Sequence, residues 1–300
     1  MTHANRSTAA RLTRRTLMGG AAAAGLTLLL PSRTRSEESP VPATFRPDLP
    51  RLDLHAHPDN STIDAIVALA GERGVRLGMV EHAGTKLNKY PVVLATDAEL
   101  AAWIDSLAGK GVYAGVQAEW TDWMGCFSRP VLARLDYVLT DAMTYPGKDG
   151  LRVKLWEADA PDRVDMADHE AFMERYVEWY VAIMERQPID VLANVSWLPK
   201  PLADAYDALW TPARIRRVAD TAARLGVAIE ISSGFVLPRI GWLKVAREAG
   251  VKFSFGSNGR YPKMGLLDYS LRTADALGLK AEDFFTPGVA GQKAVERRKW

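Results

Sequence analysis

What most constrains this chain is a repeated alternation, from about residue 51 onward, of short β-branched runs with amphipathic stretches. A hydrophobic period of two that gives way again and again to one near 3.6 is the pattern of βα units, which assemble parallel sheets. The strand candidates are Arg51 to His55, Arg76 to Val80, Val112 to Ala118, Tyr137 to Leu139, Val191 to Ala193, Ala228 to Ile231 and Lys252 to Phe255. Helices are expected at Thr62 to Arg73, Ala98 to Leu107, His169 to Glu185, Pro212 to Leu225 and Ile240 to Ala249. Thr211-Pro212 supplies an N-cap with proline at the first helical position, and Gly74, Gly226 and Gly250 follow apparent last turns as left-handed stops. A doubly wound sheet would carry a Gly-rich phosphate loop after its first strand, and none follows Arg51 to His55. One run of βα units this long fits a single barrel better than two open sheets. The expectation is an α/β fold, a seven-stranded parallel β/α barrel related to the TIM barrel, over residues 51–285, with 286–300 as a C-terminal tail.

The amino terminus reads as an address. Arg14 and Arg15 precede a thirteen-residue apolar run from Met18 to Leu30, the form of a twin-arginine export signal. At 1.5 Å per residue that run covers about 20 Å of a hydrocarbon core roughly 30 Å thick, too little for a membrane span. Residues 1–36 are therefore expected to engage the twin-arginine export machinery and deliver the protein to the periplasm, with 37–50 (Pro40, Pro42, Pro47, Pro50) as a linker. The first 36 residues carry six arginines and no acid, so the body holds 32 basic against 36 acidic residues, a net of −4 instead of the +2 of the whole chain. A mildly acidic body lacks the footprint of a nucleic-acid binder. Cys126 is the single cysteine, which excludes an internal disulfide and a multi-cysteine zinc cluster.

Catalytic groups of a parallel barrel sit at the carboxyl ends of its strands. The first strand ends in Asp53-Leu54-His55-Ala56-His57, where two histidines two residues apart project to one face, the spacing with which two imidazoles grip one cation. The alternative is a pair of hydrogen-bonded polar histidines. The other strands run into Glu81-His82, Glu119, Asp141, Asn194, Glu230 and Ser257-Asn258-Gly259-Arg260, so every strand delivers a polar group to the same rim.

The run Asp53 to His57, Gly74 leading to Glu81-His82, the Glu119 strand, Ile189 to Asn194 and Gly250 to Asn258 together resemble the polymerase and histidinol phosphatase (PHP) family. The resemblance implies a distorted seven-stranded barrel with up to three divalent metals at its carboxyl rim, usually cleaving phosphate esters. Carried over residue by residue, it makes His55, His57 and Glu119 one metal corner, with Asn258 as a neutral fourth ligand. His82 also matches a ligand position. Other positions depart from the family: the acid beyond the two histidines falls at Thr62 or a neighbour, and Met143, Asn194 and Arg260 stand where histidines are usual. One ion of Mn, Zn or Fe, at most two, is expected in place of three.

Arg260 offers a permanent cation able to grip a carboxylate or phosphate in two-pronged fashion. Asp141, Glu81 and His82 are the candidates for proton transfer; for Glu81 the alternative is a salt bridge to Lys86 or Arg76. Asn194, Trp120, Trp123 and Trp197 are candidate substrate contacts, with Tyr145 and Trp156 in the same loops, unless these rings merely seal loops over the barrel. The insertion from Tyr145 to Asp168 reads as a lid or side wall, and His169 as an exposed first-turn residue. The function expected is metal-dependent hydrolysis of a small anionic phosphoester. An amidohydrolase-type C–N hydrolase, or a degenerate barrel that binds an anionic molecule, are the rivals.

Overall fold

The computed structural model describes residues 48–299; the expected export signal and most of the linker lie outside them. The described residues form nine strands: β1 (Leu52–Ala56), β2 (Arg76–Ala83), β3 (Tyr113–Ala118), β4 (Tyr137–Thr140), β5 (Thr144–Pro146), β6 (Arg152–Lys154), β7 (Val191–Leu192), β8 (Ala228–Ser232) and β9 (Phe253–Gly256). Seven of them close a parallel barrel in the order β1-β2-β3-β4-β7-β8-β9, at the seven places where the sequence expects strands. The remaining two, β5 and β6, form an antiparallel hairpin in the excursion after β4.

The helices form where pattern and caps agree. Thr62 accepts from Ala65 N at the start of Ile63–Glu72, and Asp168 from Ala171 N at the start of His169–Arg186. Pro212–Leu225 is capped by Thr211 and stopped by Gly226 at φ 66°. Thr62 thus serves as a helix cap and not as a rim ligand. The helix Asp268–Ala276 was not expected: it lacks a side-chain cap at its start, although Gly278 at φ 61° closes its end as a left-handed stop.

Two apolar layers hold the barrel. A large core lies between strands and helices, while a small inner cluster of Leu54, Val80, Tyr137, Leu139, Val191, Ala193 and Ala228 plugs the lumen. Tyr137 spans it, donating from its hydroxyl to Leu54 O at 2.8 Å. Room for that ring comes from glycines on β2 and β3, since a Cβ at Gly78 or Gly115 would lie 2.5 or 2.4 Å from Tyr137 atoms. Buried Asp53 locks β1 to the segment after β9, accepting from Ser257 N (2.9 Å), Ser257 Oγ (2.5 Å) and Gly265 N (2.7 Å). The expected C-terminal tail packs back onto the body through Ala294–Arg297, with Ala294 N donating to buried Asp190 at 2.7 Å.

Candidate functional site

The lumen plug leaves the carboxyl end of the barrel open, and a cavity of about 360 Å³ lies there. His57, His82, Gln117, Asp141, Asn194, Asn258 and Arg260 line it, joined by Tyr90, Met143, Trp156, Trp197 and Phe235.

How two histidines of β1 reach the lumen depends on a local irregularity. Leu54 belongs to the inner cluster, so strict alternation would turn His55 outward. Pairing with β2 shifts between Asp53 and Ala56, the mark of a β-bulge, and the extra residue lets His55 follow Leu54 inward. There His55 Nδ1 meets Glu230 Oε1 at 2.8 Å and Nε2 meets Gln117 Oε1 at 3.2 Å. Burial disfavours its charged form, but the adjoining Glu230, with Asp141 and Asp53 farther off, more than offsets this and raises its pKa above the ordinary imidazole value. His57 differs. Both its ring nitrogens are buried without a hydrogen-bond partner. Burial, then neighbouring His55, His82 and Arg260, push its pKa well below the usual value; Asn258 approaches the ring but completes no bond to it.

His82 stacks on His57 at 4.9 Å and on Tyr90 at 3.7 Å, and Lys154 Nζ covers the Tyr90 ring at 3.8 Å. Glu119 sits behind His82, its Oε1 2.8 Å from Nδ1, and takes a bond from Tyr90 Oη at 3.3 Å. Burial lowers His82 to about 3 and raises Glu119 to about 8. His82 Nε2 remains unpartnered. Glu81, expected to serve as a base or to pair with Lys86 or Arg76, instead accepts from His82 N at 3.0 Å and does not line the cavity; burial raises it to about 7. Asp141 does line it. Its Oδ2 accepts from Asn194 Nδ2 (3.2 Å) and Gln117 Nε2 (3.4 Å), its Oδ1 from Met143 N, and burial raises it to about 6. Asn194 and Asn258 lie two residues past β7 and β9 at φ 50° and 48°, a left-handed conformation asparagine tolerates better than most residues.

Several expectations need correction. Glu119 faces His82 and Tyr90 instead of sharing a corner with His55 and His57. Among the described residues no three His, Cys, Asp or Glu side chains are grouped as a metal ion needs. Arg260 is not wholly free, because its Nε donates to Asp59 Oδ2 at 2.7 Å. Trp123 is fully buried and bonds Gln187 Oε1, so it is a core residue. Trp120 packs on Trp179 beside the Arg152 guanidinium, away from the cavity, and Tyr145 is buried among Phe172, Tyr176 and Trp179. Trp197 and Trp156 do reach it. The excursion after β4 is a fixed side wall: Arg152 bonds Asp122 and Asn88 at 2.8 and 2.6 Å. His169 is exposed in its helix's first turn. The bridging lysine of an amidohydrolase-type centre is missing from the cavity lining.

Two partners were not singled out from sequence: Asp59 is signalled only by lying two residues past His57, and Tyr90 by nothing local; Glu230 was placed at the rim, but without its role as partner of His55.

No family model and no curated protein matches this chain. Among solved structures, a histidinol phosphate phosphatase from Lactococcus lactis subsp. lactis, complexed with zinc, L-histidinol and phosphate, aligns at TM-score 0.52 and 12% identity. The alignment covers 76% of this chain and 92% of that one, and shows a shared fold. A phospho-2-dehydro-3-deoxyheptonate aldolase from Thermotoga maritima aligns at TM-score 0.37 and 12% identity, over 77% of this chain and 58% of that one. An HpcH/HpaI aldolase from Desulfitobacterium hafniense aligns at 0.34 and 14%, over 77% and 92%. Neither aldolase alignment is close enough to bear on function.

Proposed function

We propose that the chain is an exported, metal-dependent hydrolase of the PHP type that cleaves a small anionic phosphoester at the barrel mouth. The observation that carries this reading is the stacked pair His57 and His82, which together hold three buried imidazole nitrogens without a protein partner. An unpartnered buried polar atom costs about 1–3 kcal/mol. Neutral imidazole nitrogens are also what Mn, Zn or Fe take as ligands. Glu119 behind His82 and Glu230 behind His55 repeat the carboxylate pairing that orients metal-bound histidines. His57 and His82 would hold one ion, with the Asn258 amide oxygen beside His57 as a neutral neighbour, and His55 would join them if Gln117 released its Nε2. Such an ion, when bound, lowers the pKa of water toward neutrality and polarises the phosphoryl group.

The chain's own residues divide the remaining work. Arg260, held through Nε by Asp59, presents its other guanidinium nitrogens to the anionic oxygens. Asp141, poised at about 6, accepts the proton lost by an attacking water. Phosphorus exchanges its bond to the ester oxygen for one to that water, and the departing oxygen takes up the proton that Asp141 accepted, giving an alcohol and phosphate. The phosphoester is chosen by analogy with the histidinol phosphate phosphatase whose fold this chain shares.

Elemental analysis after loading with Mn, Zn or Fe, and assay of a phosphoester panel before and after chelation, test the reading. About one equivalent of metal, lost together with activity in H57A and H82A, supports it. Protein that takes up no metal and turns over none of the panel refutes it. Gln117 Oε1 against His55 Nε2 favours a second reading, a degenerate barrel that binds an anionic molecule; ligand binding that persists without metal or turnover decides for that.

A further inference from the structure

Barrel order divides the mouth into two unlike halves. The ionic and imidazole groups His57, His82 and Arg260 come from the ends of β1, β2 and β9, which adjoin one another in the closed sheet. Met143, Trp197 and Phe235 follow β4, β7 and β8, the contiguous opposite arc, where the polar groups Asp141 and Asn194 are bonded to each other, and Trp156 reaches over from the hairpin after β4. Trp156 is 44% and Phe235 36% exposed while lining a concavity, so both hold apolar surface that no part of the described chain covers. A ligand rich in hydroxyls would leave many of them unpaired on that wall. A flat apolar ring would bury against it and stack.

Resting on the hydrolase reading for the identity of the reacting group, we infer that the substrate is an aryl phosphomonoester. Its phosphate lies toward the β9-β1-β2 arc at Arg260, and its ring lies among Trp156, Trp197, Phe235 and Met143. A cavity of about 360 Å³ fits one such compact molecule.

Calorimetric binding of 1-naphthyl phosphate and of glucose 6-phosphate to the full chain, alone and with Mn, tests this. The aryl ester should bind at least about tenfold more tightly. F235S and W156A, both at exposed positions that spare the core, should each weaken it about fivefold or more and leave the sugar phosphate unchanged. R260Q should weaken both. Equal affinities, equal effects of F235S and W156A on both probes, or binding of neither probe would overturn the inference. Aryl preference without turnover would count against the hydrolase reading and leave the subsite standing. Turnover without aryl preference would do the reverse.

Discussion

Replacing Gly256 with alanine should cost a large part of the stability of this barrel, because Gly256 makes room for the Glu230 carboxylate inside it. A Cβ there would lie 1.7 Å from Glu230 Oε1, 2.6 Å from its Cδ and 2.8 Å from His55 Cβ. The carboxylate must move by more than an ångström, and both of its bonds break: the 2.8 Å contact to His55 Nδ1 and the 2.8 Å bond it accepts from Asn194 N. A charge-assisted bond is worth about 1.5–3 kcal/mol and a stranded buried N–H about 1–3, so G256A should lose roughly 3–6 kcal/mol. Domains of this kind are stable by only about 5–15 kcal/mol in all. Urea denaturation of G256A, E230A and the double variant measures it. Once E230A has removed the carboxylate, only the 2.8 Å approach to His55 Cβ remains, so the added methyl should cost less and the two changes should fall short of additivity by at least about 2 kcal/mol. A G256A loss under about 1 kcal/mol, or additive costs, would refute the argument that Gly256 is glycine for the sake of the His55–Glu230 pair.

Other expectations follow from the same geometry. Y137F strands Leu54 O in the lumen and should lower stability by about 1–3 kcal/mol in urea without changing the slope of the transition. G226A places a side chain at φ 66° and should cost about 1 kcal/mol, read as a lower thermal midpoint. Asp190, which accepts from Val138 N and Ala294 N, is raised by burial from 3.8 to about 6. A raised carboxyl holds its proton more tightly when folded, so its penalty is full above pH 6 and is relieved as pH falls toward 4. D190A should therefore be less stable than the native chain at both pH values, and by about 1 kcal/mol more at pH 5 than at pH 7.5; a flat or reversed difference would contradict this.

Much of the scaffold was legible in the sequence, since the period of each segment reflects burial and backbone sterics that act within a few residues. Seven strands, five helices, their caps and a polar group at every strand end follow from that alone. The pairs that make the site do not. Glu119 faces His82 across 37 positions, Glu230 faces His55 across 175 and Arg260 faces Asp59 across 201. These pairings depend on barrel closure and on a one-residue bulge in β1 that turns both histidines inward. Trp123 and Trp197 follow strand ends equally well, yet one fills the core and the other lines the mouth. The sequence determined which residues arrive at the rim, because that is a local property. Which of them face one another was decided by register and closure, because those are set by the packing of the whole barrel.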